Sequence, residues 1–183
     1  EFQSQISYAA RMFLSRKNLK CLGSGSNYNA AKSVSKSIIK SIKRACAHDV
    51  LENHKHIDMS AESAVLTLIA NIWKPGYQQD AQSEIEKMLA HSALPIVLTN
   101  VGDMRFDAQN FSTFEPNGKK SFLQIPIIKI PAVSDLFSFS LHKFVLGSFV
   151  HELEIVSEGD DYDPELAALF SNQNLKLDLN VRQ

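Results

Sequence analysis

Among its 183 residues the chain has only two cysteines, Cys21 and Cys46, with no Cys-x-x-Cys or zinc-type spacing. Isolated thiols of this kind exclude a disulfide scaffold; they are expected to stay reduced and buried, which fits the cytoplasm. Charge of one sign is also lacking, since 19 basic residues against 20 acidic ones leave a net charge of −1. Without a global field, neither nucleic acid nor an anionic membrane is an expected partner. No apolar run approaches the ~20 residues needed to cross a bilayer, and no basic-then-apolar leader opens the chain. It opens on Glu1-Phe2 with no methionine, so a piece of a longer protein is expected.

Several catalytic signatures are missing too. There is no Gly-x-Ser-x-Gly elbow, so hydrolase chemistry has no support. Gly23-x-Gly25 is followed by Tyr28 where a dinucleotide site needs a third glycine, which argues against a nicotinamide cofactor. His54 and His56, flanked by Glu52 and Asp58, are only two residues apart, and no further ligand is spaced to complete a coordination sphere. Neither a metal nor any other cofactor is expected.

What is present is an alternation of strands and helices. Residues 7–14 read as a short helix within an N-terminal helix and linker of residues 1–17. Residues 18–22 read as a first strand. From 29 to 46, Ala31, Val34, Ile38, Ile42 and Ala45 recur at helical spacing. The other face carries Lys32, Lys36, Lys40, Lys43 and Arg44, either a solvated face or a phosphate-binding one. Residues 64–72 form a near-continuous apolar run, as expected of a central parallel strand. A helix over 79–90 and a buried strand over 95–100 follow, then a further strand over 121–130. Between the last two, residues 102–120 are rich in Asp, Asn, Ser, Gly and Pro and read as a surface excursion. Ser134-Asp135 cap a long helix over 136–155, apolar on most sides and so expected to be buried. Asp163-Pro164 opens a short final helix. This order implies an α/β fold, a three-layer α/β/α sandwich on a mainly parallel sheet, with ligands at the carboxyl ends of the strands.

The most informative segment sits at such an end. Leu22-Gly-Ser-Gly-Ser-Asn-Tyr28 joins the first strand to an amphipathic helix. A glycine turn with hydroxyl and amide side chains at a helix start presents backbone N–H groups at the positive end of the dipole, which suits a phosphate. The alternative is a turn whose glycines serve only its tightness.

With Gly23-Ser-Gly25, Lys55-His56, Ile130-Pro131, and Asp163-Pro164 followed by Leu166-Ala167, in this order and spacing, the chain resembles sugar isomerase (SIS) domains. It is most similar to the second of the two such domains in glutamine–fructose-6-phosphate aminotransferases and related phosphosugar isomerases. The resemblance runs from about residue 18 to the end, apart from the insertion at 102–120, and implies a flavodoxin-like topology for an SIS domain over 18–183. It also implies a sugar phosphate as ligand, such as a hexose 6-phosphate, and a second SIS domain or a homodimer partner.

The resemblance assigns chemistry residue by residue. His56 matches the histidine associated with opening the sugar ring, a proton transfer that suits imidazole. The following Gly-Pro of the family is Ile57-Asp58 here. Sixteen residues before that histidine the family has its glutamate base; this chain has Lys40, and Ser37 where a family lysine stands. A second family lysine aligns near Leu169. A charged lysine does not replace a carboxylate base unless its pKa falls far, so these departures weigh against the standard isomerisation. Glu52, four residues before His56, is the carboxylate that either takes over as its acid/base partner or is an ordinary exposed residue. The family's Ser-x-Ser-Gly-x-Thr phosphate loop is absent, and the comparable strand ends in Asn71-Ile-Trp-Lys74.

The expectation is therefore a phosphosugar-binding domain, the C-terminal half of a ketose/aldose phosphosugar isomerase or aminotransferase of amino-sugar metabolism. The alternative is a non-catalytic module that senses a sugar phosphate or regulates a partner. Expected substrate-binding residues are Ser24, Gly25, Ser26 and Asn27, and expected catalytic residues are His56 and Glu52.

Overall fold

The computed structural model describes residues 2–54, 60–72, 74, 76–106, 112–114, 120–122 and 125–159. In chain order the elements are α1 (Phe2–Leu14), β1 (Asn18–Gly23), α2 (Ser26–Ile42), β2 (Cys46–Asp49), β3 (Ser63–Leu68) and α3 (Tyr77–Ala90). They continue with β4 (Leu94–Asn100), β5 (Ser112–Phe114), β6 (Lys120–Phe122), β7 (Ile127–Ile130) and α4 (Asp135–Glu158). Five strands form one sheet in the order β2-β1-β3-β4-β7, and every pairing is parallel. This is the expected three-layer α/β/α arrangement, with the flavodoxin-like strand order.

A strand covered on both faces must be apolar on both, and β3 is buried at every position. Ala64, Leu66 and Leu68 point into one half of the core, with Ile6, Ala9, Phe13, Val34, Ile38, Phe149 and Leu153 from α1, α2 and α4. Val65 and Ile69 point into the other half, with Tyr77, Ala81, Ile85 and Met88 from α3. The first helix is longer than the 7–14 reading and is part of this core. Its Ile6, Ala9, Ala10 and Phe13 recur on one face and are fully buried. Phe13 meets Phe149 edge to face at 5.6 Å, and Glu152 of α4 accepts hydrogen bonds from Ser7 Oγ (2.6 Å) and Gln3 Nε2 (2.9 Å).

The elements depart from the expected ones in five places. The helix expected to reach residue 46 ends at Ile42, because Lys43 turns left-handed at φ 55°. The chain then forms β2, an edge strand of four residues with mixed polarity that apolar periodicity does not reveal. The strand expected over 121–130 is two strands, β6 and β7, separated by Pro126, which has no N–H to give to a ladder. The excursion at 102–120 carries a short 3-10 turn, Met104–Phe106, and an antiparallel pair, β5 with β6. Phe106 is fully buried beneath α3, so this excursion is anchored in the core at its start. Finally, α4 is not buried all round: Leu136, Phe137 and Phe144 are 81%, 62% and 68% exposed. The expected helix at Asp163-Pro164 lies outside the described residues, and no described helix is long and apolar enough to cross a membrane.

Candidate functional site

The chain leaves β1 toward α2 on one face of the sheet and leaves β3 toward α3 on the other. Adjacent strands whose connections part in this way open a crevice at their carboxyl ends. There lies a cleft of about 510 Å³, lined by Ser24, Gly25 and Ser26 after β1, Glu52 after β2, Asn71, Ile72, Lys74 and Tyr77 after β3, and Ser138, Phe139 and His142 of α4.

The β1–α2 turn is built by its glycines for two different reasons. A Cβ on Gly23 would stand 2.6 Å from the carbonyl oxygen of Asn27, so this position holds strand and helix in close contact. Gly25, the residue capping α2, adopts φ 56°, a conformation that costs other residues energy. Ser24 Oγ donates a hydrogen bond to Glu52 Oε2, tying the turn to the end of β2. Of the expected binding residues, Ser24, Gly25 and Ser26 therefore line the cleft. Asn27 does not: it is fully buried, and its amide Nδ2 donates to the carbonyls of Leu68 (3.1 Å) and Ala70 (2.9 Å). It fastens the start of α2 to the end of β3.

Opposite, α3 starts at Tyr77, capped by Gly76 at φ 80°. Two helix starts thus turn their positive dipole ends to the same cleft, with the N–H groups of Asn27, Tyr28 and Tyr77 already donating to the carbonyls of Ser24, Gly25 and Lys74. Lys74, exposed at the rim, is the only cationic side chain lining it among the described residues. Just after β3, Ile72 is held by Gln78, whose Nε2 donates to its carbonyl (2.9 Å), and Asn71 by its own amide. Asn71 sits left-handed at φ 60°, and its Oδ1 accepts from Asn100 Nδ2 (2.9 Å) and Val133 N (3.1 Å).

Burial favours the neutral form of two groups of the cleft. Desolvation pushes the Tyr77 hydroxyl up to about 12, hydrogen bonding with Ser24 partly offsetting it and the Glu52 charge adding to it. Desolvation likewise pushes the imidazole of His142 down to about 4. Tyr77 is therefore a phenol and His142 a neutral imidazole at pH 7. His142 Nδ1 lies 3.5 Å from Ser138 Oγ, one turn earlier in the same helix.

Glu52, expected on the sequence, is brought to the cleft; its expected partner His56 lies outside the described residues. Lys40, at the position of the family base, is exposed in the last turn of α2. Fourteen residues from the helix start, it lies roughly 21 Å along the axis from the cleft. Among the described residues no group of His, Cys, Asp and Glu could hold a metal. Sequence reasoning did not nominate Asn71, Lys74, Tyr77, Ser138, Phe139 or His142. For the first three the signal was their place after a buried central strand; for His142 it was a histidine on a largely apolar helix that also carries His151.

No family model matches the chain, and no curated protein matches it by sequence. Solved structures do. The C-terminal domain of glucosamine-fructose-6-phosphate aminotransferase from Francisella tularensis superposes with a TM-score of 0.67 at 11% identity, over 87% of this chain and 41% of that one. The NanR protein of Vibrio vulnificus, complexed with ManNAc-6P, gives 0.57 at 7% identity, over 93% of this chain and 60% of that one. The sugar isomerase domain of an RpiR transcription factor from Sphaerobacter thermophilus gives 0.54 at 10% identity, over 94% and 86%. This chain thus spans about two fifths of the first of these proteins. At such identities the likeness establishes the fold, which is that of the sugar isomerase domains.

Proposed function

We propose that the cleft binds a sugar phosphate, with the phosphate held between the starts of α2 and α3 and countered by Lys74. One observation carries this reading: two helix starts and the cleft's only described cation converge at the switch point of the sheet. Ser24, Gly25 and Ser26 are its contacts from β1. Support comes from the fold, since one protein with this fold was solved with ManNAc-6P and another is an aminotransferase domain.

Binding is favoured over isomerisation by the place of Lys40, which leaves the cleft without the family base. Glu52 is the only carboxylate lining it among the described residues. If the protein catalyses, Glu52 is the base, working with His56. If it senses, the same cleft reports a sugar phosphate to an attached or associated domain. We further propose a cytoplasmic protein whose α4 packs on a second SIS domain or a second copy through Leu136, Phe137 and Phe144.

The test is thermal denaturation with a panel of hexose 6-phosphates and the matching free hexoses, for the wild type and Lys74→Ala. Stabilisation by a phosphorylated sugar that Lys74→Ala diminishes supports the reading. No shift with any of them rejects it. A coupled assay of ketose/aldose interconversion, with and without Glu52→Gln, then separates enzyme from sensor. Sedimentation that shows a monomer at all concentrations removes the second-copy proposal.

A further inference from the structure

Among the described residues two polar atoms on the walls of this cleft, Asn71 Nδ2 and His142 Nε2, are buried without a hydrogen-bond partner, and a third, Tyr77 Oη, is buried with Ser24 beside it but no well-aligned bond. Asn71, Tyr77 and His142 are 2%, 6% and 1% exposed. A buried polar atom without a partner costs about 1–3 kcal/mol, and folded proteins carry few of them. Such atoms gathered around one cavity are too costly to be incidental to packing. They come from both sides of the sheet, Tyr77 opening α3 and His142 lying in α4. Their convergence belongs to the cleft, not to one element.

Their chemistry defines what would satisfy them. All three are uncharged at neutral pH, an amide, a phenol and a neutral imidazole. The Tyr77 hydroxyl lies in the field of the Glu52 carboxylate. An anion placed against Tyr77 would meet that negative charge, and the only described cation lining the cleft is Lys74 at its exposed rim. An alcohol would not. A hydroxyl accepts from a phenol or an amide and donates to a carboxylate or an imidazole nitrogen, so one group serves neighbours of both kinds. Whichever tautomer His142 adopts, its Nε2 is either donor or acceptor, and a hydroxyl answers both.

We propose that Tyr77 and His142 are specificity-determining residues that read the hydroxyls of the ligand's uncharged carbon chain, leaving its anionic group to Lys74 and the helix starts. The identity of the ligand as a sugar phosphate rests on the function proposed above; the unsatisfied atoms do not. Affinity then increases with hydroxyls, and a phosphate alone is a poor ligand. Rejection of analogues lacking a hydroxyl follows from leaving these groups unpaired again.

The experiment is calorimetric titration of the full chain with sorbitol 6-phosphate, glucose 6-phosphate, fructose 6-phosphate and inorganic phosphate, for the wild type, Tyr77→Phe, His142→Leu and Lys74→Ala. Tyr77→Phe and His142→Leu should each weaken the preferred sugar phosphate roughly three- to ten-fold and leave inorganic phosphate unchanged. Lys74→Ala should weaken both. Equal effects on sugar phosphate and phosphate, or none, overturn the proposal. If no probe binds the wild type, the sugar-phosphate reading fails, and ligand-free melting decides the assignment of the two groups. Each variant removes a buried polar group, Tyr77→Phe the hydroxyl beside Ser24 and His142→Leu the ring that also meets Ser138, so an unchanged or raised Tm upholds them as ligand-facing. A lowered Tm for Tyr77→Phe shows a partner inside the protein and overturns it.

Discussion

The side-chain amides of Asn71 and Asn100 bind each other's residues in both directions. Asn71 N donates to Asn100 Oδ1 at 2.8 Å, and Asn100 Nδ2 donates to Asn71 Oδ1 at 2.9 Å. Asn100 Nδ2 also reaches the carbonyl of Pro131 at 3.3 Å, and Asn71 Oδ1 receives Val133 N. One pair of amides thus joins the carboxyl ends of β3, β4 and β7 and fixes the approach to α4. It also holds Asn71 left-handed, which asparagine tolerates better than most residues. Asn100→Asp keeps the acceptor and the shape but sets a carboxylate oxygen against Asn71 Oδ1. The expected cost is about 1–3 kcal/mol, read as a lowered urea midpoint at an unchanged m-value. An unchanged midpoint would show that the pair does not hold the site.

At the β1–α2 turn the same logic applies to backbone contact. Gly23→Ala puts a Cβ 2.6 Å from the Asn27 carbonyl, and a carbonyl in a helix cannot rotate away as a side-chain tip can. The start of α2 must shift, disturbing the two bonds from Asn27 to β3. We expect about 1–3 kcal/mol of destabilisation, as for other overpacked sites, together with weakened ligand binding. Gly25→Ala meets no atom within 4 Å and instead carries the cost of φ 56°, roughly 1–2 kcal/mol. Denaturation curves for both variants separate the two causes. An undisturbed Gly23→Ala protein would show that strand and helix are not in the contact described.

This turn also shows what could be read before the structure. Alternating apolar segments revealed the buried strands and their helices, and the glycines marked the strand-to-helix turn, because these features are local. β2 escaped because it is short and half exposed at the sheet edge. Glu52 was legible as a carboxylate near a family motif, whereas Asn27 looked like a ligand residue and proves to fasten two elements. Tyr77 and His142 carried only faint signals, a place after a buried strand and a histidine in an apolar helix. Their meaning depends on a cavity formed by segments 65 residues apart in sequence, and on which of their buried polar atoms go unmatched, which no local pattern records.

His142 makes stability depend on pH. Burial lowers its pKa from 6.5 to about 4, so the unfolded chain binds the proton more readily than the folded one between these values. Its contribution is present in full above pH 6.5 and is lost as pH falls toward 4, by at most on the order of 3 kcal/mol. His142→Leu should flatten the stability profile in that window and leave other slopes in place. Urea denaturation at pH 4.5, 5.5 and 7.0 gives the comparison; parallel profiles for the two proteins would place the imidazole in contact with water.

The central claim is that a sugar phosphate occupies the cleft at the carboxyl ends of β1 and β3. Backbone amide chemical shifts report the place of binding directly. During titration of the isotopically labelled chain with a hexose 6-phosphate, the amides of Ser24, Gly25, Ser26, Gly76 and Tyr77 should move together and saturate. Those of the groove between α2 and α4, such as Ser37 and Gly147, should stay still. Shifts that cluster in that groove, or none at any of the cleft amides, would contradict the account.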